Sequence, residues 1–185
     1  MANCLFAQSV TFNCLDPQRG GIYPYIIAIN WENLADGTIT EATGTTEEIT
    51  NIVLDSGTQG YKLEVPKSQN IIASTPLREV DGVDGYDHTV DTRVNNIEQI
   101  VADALSKIRF AKAAIIVPLL EGRAYLYGRY VGMRLSAFDA IPGDPSTGGT
   151  INFVAKTPAG DPPEINPPHL IAAAFDLTTL LTPAP

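Results

Sequence analysis

Ala113–Leu120, AAIIVPLL, then Glu121-Gly122, then Arg123–Leu135, RAYLYGRYVGMRL, is the stretch that decides the fold class. The first run is unbroken apolar sequence of strand length, well short of the ~20 residues that span a bilayer. Glu-Gly turns it back on itself. In the second run Tyr125, Tyr127, Arg129, Val131, Met133 and Leu135 share one parity. Gly128 and Gly132 take the other parity, where a strand glycine marks a bend or a close backbone approach. Aromatic and branched side chains suit a pleated, packed surface. An antiparallel strand pair at the heart of a mainly β domain follows.

Further strand patterns lie on both sides. Leu5–Cys14 reads as a first strand, broken by Asp16-Pro17 and Gly20-Gly21. Ile22–Trp31 is a second, with Pro24 placing its beginning or an edge. Tyr61–Val65 alternates Tyr, Leu and Val with Lys and Glu, and His88–Val94 sets His88, Val90, Thr92 and Val94 against Thr89, Asp91 and Arg93. Thr150–Lys156 closes the series after a Pro/Gly/Asp loop at Ile141–Gly149. Residues 35–50, at the heart of an arm near 35–54, differ in kind: ADGTITEATGTTEEIT is rich in Thr, Gly and Glu. Thr38–Ala42 and Ile49–Leu54 pair there as a hairpin around Thr43-Gly44, an arm that projects and is ordered by a neighbour. One amphipathic helix is predicted near 96–109, capped by Asn95 or Asn96. Its stripe is Ile97, Ile100, Val101, Ala104, Leu105 and Ile108. Residues 1–156 thus read as a β-sandwich or barrel with one flanking helix and a long hairpin arm. Residues 157–185 form a Pro-rich C-terminal extension, in which Leu170–Leu181 needs burial on its own domain or on a neighbour.

Charge narrows the function. The net charge is −9, and the excess sits at the two ends. Residues 1–60 hold Arg19 against seven acidic residues, and residues 137–185 hold Lys156 against five. That sign disfavours tight reading of nucleic acid but suits a wall past which a polyanion slides. Cys4 and Cys14 are too few for a disulfide framework, and the first residues lack the basic region of a signal peptide. Synthesis in the cytoplasm and no membrane insertion are the expectations.

Chemistry-bearing groups are sparse. Asp87, His88 and Asp91 form the one tight cluster, in an acidic loop Asp81–Asp91 that lacks the ligand order of a calcium loop. In a strand His88 and Asp91 point to opposite faces. His169, in Asn166-Pro167-Pro168-His169, has no neighbouring nucleophile, and neither cysteine has an adjacent base. Ser146-Thr147-Gly148-Gly149 lacks the lysine of a phosphate loop. Arg123, Arg129 and Arg134 interleave with Tyr125, Tyr127 and Tyr130, the composition of a single-strand nucleic-acid platform. With this net charge they read instead as packed tyrosines and arginines that meet carboxylates. No catalytic, cofactor or metal residue is expected, and no enzyme.

The order of parts resembles the tail tube proteins of tailed bacteriophages: paired strands, a Thr/Gly/Glu-rich hairpin, one amphipathic helix between strands and a closing strand pair. GYDHTVDTRVNNIEQIVADALSKIRFAKAAIIVP, residues 85–118, is its most suggestive part. The resemblance covers residues 5–156 as an order of elements. It implies a structural virion subunit, assembled in the host cytoplasm into rings, commonly of six copies, that stack into a tube. Strands of neighbouring copies there complete one barrel, and DNA passes through it. Its partners are copies of itself and other tail or neck proteins. A tail terminator, a neck ring, and a capsid-decoration or receptor-binding module are the related alternatives.

Overall fold

In a computed structural model the chain is described over residues 21–42, 48–65, 71–80, 83–94, 111–141 and 150–184. The predicted strand Leu5–Cys14, the helix near 96–109, the turn Thr43-Gly44, Ser146–Gly149 and both cysteines lie outside the described residues. The strands are β1 (Tyr25–Asn30), β2 (Thr38–Glu41), β3 (Ile49–Val53), β4 (Tyr61–Glu64), β5 (Ile71–Ser74), β6 (Leu77–Val80), β7 (Val83–Tyr86), β8 (Thr89–Val94), β9 (Ala113–Pro118), β10 (Ala124–Tyr127), β11 (Arg134–Ile141), β12 (Thr150–Lys156) and β13 (His169–Ile171). A short helix α1 (Trp31–Ala35) follows β1, and a 3-10 turn (Leu177–Leu181) follows β13.

The larger sheet has seven strands in the order β2-β3-β13-β10-β9-β1-β4, and the smaller has four, β11-β12-β8-β5. They stack face to face as a mainly β sandwich. Ile26, Ile115, Val117 and Tyr127 from the larger sheet meet Ile71, Val90, Val94, Ile151, Phe153 and Ala155 from the smaller. The opposite face of the larger sheet is also covered. Ile27, Ile29, Ala114, Ile116 and Leu126 pack there with Leu34 of α1 and Leu180 of the 3-10 turn. Burial on both faces is the reason β9 shows no alternation. Among the described residues β8 is covered on one face, and its buried residues are Val90, Thr92 and Val94, as its pattern predicts.

The hairpin of β2 and β3 forms in the expected place, Thr38 opposite Val53 and Ile39 opposite Ile52. Its base is not a free arm. β3 runs parallel to β13, Ile171 opposite Ile49, and both isoleucines are fully buried. The residues at 49 and 52 supply the apolar face that the Thr/Glu-rich stretch around them conceals. The Pro-rich extension is likewise integral. β13 lies inside the larger sheet between β10 and β3, and Leu180 seals a core. Leu170–Leu181 therefore finds its burial within the chain.

The strand expected over Arg123–Leu135 is interrupted. β10 pairs with β9 in the register Ala124 opposite Pro118, which continued would set residue 129 against Ala113. Met133 occupies that place, so four extra residues have been looped out. Gly128 and Gly132 bound the loop with φ of 73° and 76°, a conformation costly for any residue with a Cβ. After Met133 the chain leaves the larger sheet and becomes β11 at the edge of the smaller one. Residues 128–132 are thus the crossover between the two sheets.

Candidate functional site

Two features stand out: a buried polar cluster that grips the crossover, and the margins of the smaller sheet, open among the described residues. The cluster begins with His88, only 1% exposed, at the entry to β8. Its Nδ1 accepts the N–H of Gly128 at 2.9 Å, and Nε2 lies 3.1 Å from the carbonyl of Asn166. A backbone N–H can only donate, so Nδ1 is the bare nitrogen and Nε2 carries the proton. Burial pushes the imidazole down from 6.5 to about 4. The Asn166 carbonyl and Asp87 oppose that shift, and His169 adds to it.

Glu164 is 0% exposed. Its carboxylate accepts the N–H groups of Tyr130 and Val131, both at 3.0 Å. Burial raises its pKa, and the crossover amides with the Lys112 charge work against that rise. The Glu164 backbone pairs with Tyr86 of β7, at 2.8 and 3.0 Å. Trp31 Nε1 donates to the Arg129 carbonyl at 3.0 Å, and Arg129 forms an ion pair with Glu41 of β2 and reaches His169 Nδ1 at 3.1 Å. The crossover's polar groups are thus held mostly by side chains from elsewhere, as the desolvation cost of buried amides demands.

The other sequence candidates disperse. Asp91 points to solvent from β8, so Asp87, His88 and Asp91 do not converge. Asp87 is buried and instead faces Arg78 Nη1 at 2.9 Å and Lys156 Nζ at 3.3 Å. The Arg78 contact is an ion pair without the alignment of a hydrogen bond, since Oδ1 of Asp87 has no such partner. His169 lies in the crossover cluster, and no serine or cysteine joins it there among the described residues. The arginine–tyrosine series is not one platform. Arg123 pairs with Glu121 and Arg129 with Glu41, while Tyr127 is buried and its hydroxyl is pushed up to about 12 by burial. Among the described residues no three His, Cys, Asp or Glu side chains gather as a metal site would require, and no helix is long and apolar enough to cross a membrane. The carboxylate of Glu164 and the excursion it holds carry no local sequence signal. Glu164 stands alone in PPEINPP, and its partners are more than thirty residues away.

The smaller sheet ends in β11 and β5, and among the described residues neither pairs on its outer side. β11 exposes Ser136, Ala137, Phe138 and Asp139 in succession. Phe138 is 39% exposed, and Ile72 on β5 is 62% exposed. All three pairings in this sheet are antiparallel, so β5 and β11 run in opposite directions. No family model, no curated protein and no solved structure matches the chain.

Proposed function

We propose that the chain is a structural subunit of a bacteriophage virion tail, which assembles through its strand edges into rings or a tube that conducts DNA. One observation carries the assembly: among the described residues, a four-stranded antiparallel sheet has two open edges of opposite direction, with apolar residues on both. An edge of that kind invites another strand. With an even number of alternating strands, β11 of one copy meets β5 of the next antiparallel, head to tail. Such junctions repeat around an axis and close into a ring without a special seam. The solvent face of this sheet carries Asp91 and Asp139 against Arg93, Arg134 and Lys156, read from the pairing register. Charges so nearly balanced give a polyanion little to grip. The tail itself is the part that the resemblance supplies. Nothing in the polar cluster requires catalysis, and the reading assigns the chain no enzymatic role.

Sedimentation and electron microscopy of the purified protein test this. Rings or tubes are expected. A double variant, Phe138→Lys with Ile72→Lys, is expected to remain monomeric with an unchanged circular dichroism spectrum, because charged edges resist strand addition. A wild-type chain that stays monomeric at high concentration would sink the proposal.

A further inference from the structure

The chain contains two histidines, eighty-one positions apart, and both are buried against the same five-residue crossover. His88 accepts from Gly128 at one end of it, and His169 meets the guanidinium of Arg129, the next residue. His88 also ties the crossover to the segment that leads into β13, through the carbonyl of Asn166. We infer that His88 is an acid-released latch, which at neutral pH fastens the crossover to β8 and to the segment leading into β13, and which protonation of its imidazole undoes.

The chemistry follows from which atoms face each other. A proton on Nδ1 of His88 would set one donor against another, the Gly128 N–H, in a buried place. The groups around the two histidines are named by the packing. His88 has Asp87 beside it in sequence, itself paired with Arg78 and Lys156, and the ring of Tyr127 at 5.5 Å. Arg129 and His169 have Glu41 and the ring of Tyr130. Glu164 has Lys112, which is paired with Asp161. Asp87 favours the protonated His88 imidazole, but it already serves Arg78 and Lys156. Glu164 acts in the opposite sense. A buried carboxylate takes up its proton more readily closed than open, so acid does not loosen its hold on Tyr130 and Val131. Release therefore belongs to His88, at the Gly128 end.

The opened state exposes the His88 ring and frees it to take a proton at its ordinary value. The low value of the closed state then sets a window, from 6.5 down to about 4, in which acid shifts the balance. Within it the open population grows by up to about tenfold per pH unit for one proton taken up.

Hydrogen exchange tests the latch on the full chain in whatever assembly state it adopts, so the outcome is independent of the tail proposal. Amides of residues 128–132 and 166–171 are compared with those of Ile115 and Ile116 in β9, from about pH 7.5 to about pH 5, after correction for intrinsic exchange. The crossover is expected to open progressively with acid while β9 stays protected. His88→Asn keeps an acceptor oxygen near the Nδ1 position but cannot be protonated, and its crossover is expected to open equally at every pH. Wild-type opening that ignores pH, or an acid response that survives in His88→Asn, would overturn the inference. Should that variant fail to fold, the ring proton resonances of the wild-type histidines decide. Protonation of His88 that leaves crossover exchange unmoved would overturn it, and a shared midpoint would uphold it.

Discussion

At the scale of single residues, the cost of a side chain is set by what surrounds it rather than by its type. Gly57 and Gly132 have the same φ of 76°, yet a Cβ at Gly57 would meet open space, while one at Gly132 would lie 2.8 Å from Trp31 Cγ. Gly57→Ala is expected to destabilise by about 1 kcal/mol, the ordinary strain of a left-handed residue. Gly132→Ala should cost about 1–3 kcal/mol more, because the indole that clasps the Arg129 carbonyl must move. Urea denaturation of the two variants measures the difference. The two buried ionisable groups have opposite effects on stability with pH. His88 has a folded value below its unfolded one, so its contribution is intact above about 6.5 and declines as pH falls to about 4. At ~1.4 kcal/mol per unit the loss approaches ~3 kcal/mol. Glu164 is raised, so its contribution is present at low pH and is lost as pH rises through its folded value. Denaturation across a pH series should show the fall between pH 6.5 and 4 in the wild type and not in His88→Asn.

At the scale of elements, the least strand-like sequence turns out to occupy a central position. β13 is three residues long and follows two prolines, yet Ile171 is fully buried between β10 and β3. Ile171→Ala is expected to cost ~2–5 kcal/mol, as for an interior isoleucine, whereas an appended tail would tolerate it. Chemical denaturation distinguishes the two. The sequence makes legible those elements whose burial repeats with a regular period: β8 through alternation, β9 through its continuous apolar run, β12 and the β2–β3 hairpin through flanking turn residues. It hides elements whose reason is a distant partner. Three residues of β13 show no period, and α1 is a single turn whose Trp31 reads as the end of a strand. The excursion at 128–132 keeps strand-like composition because its amides are satisfied by His88 and Glu164 from far along the chain. Both histidines can be picked out as candidates from residue type alone. Their meeting depends on β8, β10 and β13 being brought together, which no local pattern encodes.

At the scale of the whole molecule, the sandwich is sealed on its inside, and among the described residues the smaller sheet is open along its margins. Each copy carries −9, so association must overcome repulsion between like-charged bodies. Self-association is expected to strengthen as salt is raised through the range in which the screening length shrinks from ~30 Å to ~10 Å. Sedimentation velocity in low and moderate salt would reveal it, and weaker association at higher salt would instead point to complementary charges across the junction.

The position of β13 has a consequence for biosynthesis. A ribosome releases the chain from its beginning, but β3 and β10 cannot be joined until residue 171 has emerged. Between the emergence of β10 and that of β13 the nascent polypeptide therefore holds two unjoined halves of its principal layer, β2-β3 on one side and β10-β9-β1-β4 on the other. Locking waits for β13, and until it emerges the two halves stay open to wrong pairings and to chaperones.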